Sequence, residues 1–166
     1  MDFLELTKKR FSCRSYESSE VEKEKLDYIL ECARMAPSAV NRQPWRFRVF
    51  TKENGIEKMW DCYDREWFRT APACIVISLL HDEEWVRADG KRHGDIDVAI
   101  STEHVCLAAA EQGLGTCWVC NFNSDLCKDI LQMKAEEEPI VLIPIGYPAC
   151  EATPKNRKPM EEIMVN

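Results

Sequence analysis

Residues 73–80 read ACIVISLL, eight positions with a single hydroxyl and no charge. A run of that length is strand-sized, and its unbroken apolarity fits a strand covered on both faces rather than one with a solvent side. The rest of the chain must then supply two apolar layers, one for each face. The composition meets that demand, with 45% of 166 residues apolar. That length lies within the roughly 100–200 residues served by one core of ordinary size.

The neighbouring segments supply the layers. Asp2 and Glu5 stand at capping-box spacing and Phe3 and Leu6 lie three apart, which predicts a short helix over 2–10. Between Val21 and Ala36, Leu26, Ile29, Leu30 and Ala33 recur at helical spacing, and Pro37 stops the helix. WRFRVF (45–50) alternates Trp45, Phe47 and Val49 against Arg46 and Arg48, the pattern of a half-buried strand. Residues 55–68 have mixed helical character. Residues 81–94 are polar and read as an inserted loop or short lid. From Asp95 to Gln112 the apolar positions predict a largely buried helix with Gly113 as a left-handed cap. GTCWVC (115–120) and PIVLIPIGY (139–147) read as two further strands. The short helix between them, 124–133, can be capped by Asn123 or Ser124. A polar, proline-punctuated tail fills 151–166. With no repeat and no composition shift, residues 1–166 read as one domain, a layered α/β or α+β arrangement.

Twenty-nine acids against 22 bases, a net charge of −7 and a pI near 5.1 argue against a nucleic-acid partner, which needs a sustained basic stripe. MDFLELTKKRF is too short and too charged for an export signal, and no apolar run nears about 18 residues. The reading is a cytoplasmic protein with no membrane partner. Nine cysteines, an odd number without an export signal, read as reduced thiols. Cys117 and Cys120 form a C-x-x-C inside a predicted strand without a second pair, and are read as small buried hydrophobes. The spacing of His81, His93 and His104 makes no metal site.

Against the acidic background, KKRFSCRSY (8–16) places Lys8, Lys9, Arg10 and Arg14 around Ser12. PKNRKP (154–159) adds Lys155, Arg157 and Lys158 at the far end. Each cluster alone reads first as a solvated face. Together they could grip one phosphate through charge-assisted hydrogen bonds. APSAVNRQPW (36–45) offers Ser38, Asn41 and Gln43 in a helix-to-strand loop. GLGTCWVCNF (113–122) is no dinucleotide fingerprint, because its glycines follow a helix and enter a strand.

RFSCRSY, APSAVNRQPWRF, DIDVAISTEHVCLAAAEQGLGTCWVCNF, IPIGYP and KNRKP fall in the order, and near the spacing, of the flavin-dependent nitroreductase family. The chain resembles that family over nearly its whole length. The resemblance implies an α+β, three-layer α/β/α fold with a central, mainly antiparallel sheet. It further implies a homodimer with FMN at the interface and the tail 151–166 reaching over the partner subunit. By that likeness Arg10, Ser12, Arg14, Lys155 and Arg157 line the flavin phosphate and pyrimidine edge. Pro37, Ser38, Ala39 and Asn41 approach from the partner chain, and Val119, Cys120 and Asn121 present backbone near the ring.

The implied activity is two-electron transfer from NADH or NADPH, through the flavin, to an electron-poor small molecule such as a nitroaromatic or quinone, in ping-pong order. No side chain acts as nucleophile, since the flavin carries the chemistry. An FMN carrier or redox sensor without turnover uses the same contacts and stands as the alternative. Two departures from the larger relatives bear on specificity. Only HDEEWVRADGKRHG (81–94) stands where they carry additional helical cover, and Cys120-Asn121-Phe122 replaces their loop beside the ring.

Overall fold

The strand at 73–80 forms as expected, and all eight of its residues are buried. The computed structural model describes residues 1–165. Its elements are α1 (Phe3–Lys9), α2 (Lys23–Arg34), β1 (Trp45–Thr51), α3 (Glu66–Arg69), β2 (Ala73–Leu80), α4 (Gly94–Glu111), β3 (Gly115–Thr116), α5 (Ser124–Ile130), β4 (Glu137–Gly146) and α6 (Met160–Ile163). The sheet order is β1-β2-β4-β3, and every neighbouring pair is antiparallel.

Alternation along β2 explains its double burial. Ala73, Ile75, Ile77 and Leu79 join Val141, Ile143 and Ile145 of β4 in a core packed against Leu26, Ile29 and Ala33 of α2 and Val98, Val105 and Ala109 of α4. Cys74 and Val76 point the other way, with Leu142, into a second core closed by Ile56, Met59, Phe68 and Cys127. Truncating a fully buried isoleucine such as Ile75 to Ala costs about 2–5 kcal/mol, from lost transfer energy and the cavity left behind. The second face ends in a polar clasp. Arg48 grips the buried Glu137 through both terminal nitrogens, Nη2 at 2.9 Å from Oε2, and the Ser78 hydroxyl donates to the same carboxylate.

Local signals account for several boundaries. Asp2 accepts from Glu5 N–H at 2.8 Å, and Asn123 from Leu126 N–H at 3.0 Å, each filling a donor that a helix start leaves open. Gly113 takes φ +80°. Gly113 N–H then bonds to Ala110 at 3.2 Å and Leu114 N–H to Ala109 at 2.8 Å, the paired pattern of a Schellman cap. α4 buries residues over more than half of its circumference, from Asp97 and Val98 to Ala108, Ala109 and Ala110, and leaves Ile96 and Glu111 exposed.

Two segments differ from the sequence reading, and a third, the 81–94 loop, proves anchored. The strand expected over 115–120 keeps only Gly115–Thr116 as β3, and Val119 rejoins β4 as an isolated bridge to Leu142. Thr116 faces Ile145 and Val119 faces Leu142 in one register, which sets Cys117 against Pro144. Proline has no N–H to give the ladder there. Residues 55–68 break into a 3-10 turn, Ile56–Met59, and the one-turn α3. The 81–94 loop is tied down through the buried Glu84, which accepts from Gly94 N–H at 2.9 Å and Arg92 Nε at 2.5 Å.

Candidate active site

The two cationic clusters meet. Lys155 donates to the carbonyl oxygens of Thr7 and Lys8 at the end of α1, at 2.7 and 2.6 Å. Its ammonium is lowered from the ordinary value by burial, then by the charges of Arg10 and Arg157. Glu103 of α4 lies 3.5 Å from Arg10 Nε. Ser12 forms a parallel bridge to Thr116, and Cys13 N–H donates to the Thr116 carbonyl at 2.9 Å. The chain after α1 is thereby laid along β3.

Cys117 lies beside the same group. Burial pushes its thiol up, while the Arg14 charge, the Ser12 hydroxyl and the Arg10 charge pull it back. Arg14 also stands over the Trp67 ring, 6.0 Å from its centroid. Arg10 therefore links the two groups, Ser12 and Arg14 around Cys117 on one side and Lys155 and Arg157 on the other, although 147 positions of chain separate Arg10 from Arg157.

The remaining candidates lie elsewhere on the chain. The 37–41 loop is fixed by Asp97 Oδ1, which accepts from Ala39 N–H at 2.9 Å, and by Ser38 Oγ, which accepts from Gln43 N–H at 2.9 Å. Pro37 leads into this loop, directly after the buried Ala36. Asp97 and Glu103 are six residues apart on α4, roughly 9 Å along the axis and roughly 120° round it. The 37–41 loop and the cationic cluster thus attach to different parts of one helix. Val119 is buried against Leu142, while Cys120 and Asn121 are exposed.

That loop is strained. Val40, Asn41 and Gln43 all take positive φ, at 54°, 55° and 52°. Asn tolerates this region, but a β-branched valine does so at a cost. Strained backbone of this kind gathers at functional sites. Asp97 adds a second irregularity, since its Oδ2 is buried without a hydrogen-bond partner.

Sequence reasoning missed Glu103, Trp67 and Asp97. Only Asp97 left a readable trace, as an acid in the first turn of a helix. The other two meet the cations only through the fold.

An antiparallel sheet between helical layers, with cations from both chain ends gathered at one helix terminus, defines an α+β protein that concentrates positive charge where its two ends meet. The chain belongs to the nitroreductase family, whose sequence profile matches residues 7–63 and 59–147. It is 39% identical to a nitroreductase family protein from Clostridium difficile 630, with a TM-score of 0.91 and coverage of 99% and 98% of the two chains. An FMN-dependent nitroreductase from Clostridium difficile R20291 superposes with a TM-score of 0.80 at 28% identity, covering 93% and 92%. A protein from Methanothermobacter thermautotrophicus, provisionally named NADH dehydrogenase/NAD(P)H nitroreductase, is 32% identical over 159 residues, 90% of this chain and 78% of that one. Human iodotyrosine deiodinase 1 is 28% identical over 198 residues, 99% of this chain and 68% of that one. No helix among the described residues is long and apolar enough to cross a membrane.

Proposed function

We propose that this protein binds FMN and, in ping-pong order, passes two electrons from NADH or NADPH to an electron-poor acceptor such as a nitroaromatic or a quinone. The observation that carries the reading is the convergence of Arg10 and Arg157 on Lys155 beside Ser12, with Glu103 as the nearby carboxylate. Crowded cations of this kind fit a phosphate dianion, whose binding relieves their mutual repulsion. When bound, FMN supplies the hydride and electron chemistry.

The protein's part is binding and orientation. Arg10 and Arg157 hold the phosphate with charged hydrogen bonds, and the Ser12 hydroxyl adds a donor. Lys155 spends two donors on the Thr7 and Lys8 carbonyls. It therefore anchors the segment that carries Arg157 and keeps its charge near the anion. Arg14 offers a fixed positive charge to the pyrimidine edge, where negative charge is stabilised on reduction. Val119, Cys120 and Asn121 contribute backbone near the ring.

A homodimer completes the site in this reading. The 37–41 loop attaches to α4 away from the cations of its own chain, so Pro37, Ser38, Ala39 and Asn41 serve the flavin of the partner. Exposed apolar side chains on α1 and the tail, Phe3, Leu4, Met160, Ile163 and Met164, support burial against a second copy. The tail, described as far as residue 165, reaches toward that copy in this reading.

Purified protein should be yellow, with about one FMN per chain and a dimeric mass in solution, and should oxidise NADH or NADPH when given a nitroaromatic or quinone. A colourless protein that refuses added FMN overturns the reading. Bound FMN without turnover leaves the carrier or sensor in its place. Reductive dehalogenation is a second reading, favoured by the near-complete coverage of this chain by iodotyrosine deiodinase 1. Against it, the 198 aligned positions exceed the 166 residues of this chain, so the deiodinase carries additional residues within the shared span. Iodide release from iodotyrosine by the reduced protein distinguishes the two.

A further inference from the structure

Two thiols meet where the segments that carry the cations run side by side. Glu17 N–H donates to the Tyr147 carbonyl and Ala149 N–H to the Ser15 carbonyl, both at 2.9 Å. Tyr16 and Pro148 form an antiparallel bridge between them. The Cys13 and Cys150 Sγ atoms lie 4.0 Å apart, across 137 positions of chain. Cys13 is fully buried and Cys150 is exposed. Gly115 backs the buried thiol so closely that a Cβ there would stand 2.7 Å from the Cys13 Cβ and 2.8 Å from its Sγ. Cys13 is thus held from behind and faces its partner at the surface.

We propose that Cys13 and Cys150 are a reversible redox pair, whose disulfide clamps the N-terminal cationic segment to the tail that carries Lys155 and Arg157. A disulfide bond is about 2.0 Å long, so the sulfurs must close by roughly 2 Å, within reach of a side-chain rotation at the surface residue. Burial pushes the Cys13 thiol up to about 11, which keeps it protonated and makes the exposed Cys150 the first to react.

With hydrogen peroxide as oxidant, the Cys150 thiolate attacks one peroxide oxygen. The O–O bond breaks, leaving a sulfenic acid and a hydroxide that is protonated to water. The Cys13 sulfur then attacks the Cys150 sulfur, its proton is lost, and the S–O bond breaks to release the second water. Two thiols and one peroxide thus yield one disulfide and two waters. A dithiol such as dithiothreitol reverses the change by exchange.

The clamp joins the halves of the proposed phosphate site, so its effect on flavin retention rests on the FMN reading. The disulfide itself does not. Titration of denatured protein after limited peroxide treatment should find seven free thiols in place of nine. Peptide mapping should recover one cross-linked pair joining Cys13 to Cys150, reversed by dithiothreitol. Cys150→Ser should keep all eight of its thiols under the same treatment. A Cys150 that ends as sulfinic acid, a Cys150 bridge between two chains, or a pair that omits Cys13 overturns the proposal. In the oxidised wild type, FMN release should slow at least threefold relative to the reduced form, with no change in peroxide-treated Cys150→Ser. Equal release rates with the disulfide present refute the clamp while leaving FMN binding intact. Protein that binds no FMN fails the cofactor reading, and the thiol map still decides the redox pair.

Discussion

Lys155 closes the last turn of α1 from 148 positions away, its ammonium 2.7 Å from the Thr7 carbonyl oxygen and 2.6 Å from that of Lys8. The final carbonyls of a helix have no partner within it, and a cation there is also favoured by the helix dipole. One side chain thus serves the fold at α1 and holds the tail beside Arg10.

That dual role makes Lys155→Ala a test of tethering. Residues 151–159 should then be cut several-fold faster by subtilisin under native conditions, because opening of the tail no longer breaks two hydrogen bonds. Arg157→Ala should leave the cutting rate unchanged. Equal rates in wild type and Lys155→Ala would show that the tail is held by other contacts.

The 81–94 loop should respond to pH. His81 places Nδ1 2.8 Å from Glu84 Oε1 and Nε2 2.6 Å from Glu138 Oε2, with Arg92 Nε 2.5 Å from the same Glu84 oxygen. Hydrogen bonding to Glu84, and then to Glu138, raises His81 above its ordinary 6.5. Burial works to raise Glu84, but His81, the Gly94 N–H and Arg92 outweigh it and hold the carboxyl below 4.5. A raised histidine stabilises fully below 6.5 and loses that contribution as pH climbs through its folded value. A depressed carboxyl stabilises above 4.5 and loses its contribution as pH falls through its folded value. Protection of the 81–94 amides, corrected for intrinsic exchange, should therefore peak between about pH 4.5 and 6.5 and decline on the alkaline side. His81→Ala should remove that decline. A wild-type profile flat from about pH 5.5 to 8 would contradict the assignment.

Where one residue type has one local task, the structure was legible in the sequence. Asp2 and Asn123 cap helices, Gly113 takes the left-handed turn, and ACIVISLL is covered on both faces. The strand over 115–120 was over-read because its apolar pattern carries no sign of Pro144, which faces Cys117 only once the register exists. Distance along the chain hid the rest. Lys155 and Arg157 could be paired with Arg10 only by their shared charge and the family likeness, and nothing in either cluster shows that Lys155 bonds to carbonyls. The same holds for Cys13 and Cys150, which spacing alone could not single out among nine cysteines.

Strain at Val40 gives a prediction of opposite sign to most substitutions. The residue is 73% exposed, so little packing compensates a β-branched side chain at φ 54°. Val40→Asn keeps a side chain but tolerates the left-handed region, and should stabilise the protein by about 1 kcal/mol. For a chain of this size that is roughly 2–4 °C in melting temperature. An unchanged or lower melting temperature would mean that Val40 makes contacts, in a dimer for example, that outweigh its strain.

The last prediction returns to the cations. Arg10 and Arg157 come from opposite ends of the chain and both act on Lys155, so in the FMN reading they share one phosphate. Replacing either by Ala removes a charged hydrogen-bonding partner worth about 1.5–3 kcal/mol, or on the order of ten- to a hundredfold in FMN affinity. Because both bind the same anion, the double replacement should depart from the sum of the single ones. Riboflavin, which lacks the phosphate, is the internal control, and its affinity should change far less in every variant. Titration of the apoprotein with each flavin reads both arms. Equal and slight losses for FMN and riboflavin would return Arg10 and Arg157 to the status of a solvated face. A large loss for both flavins would point instead to collapse of the α1–tail contact, which the subtilisin cutting rate of the same variants reveals.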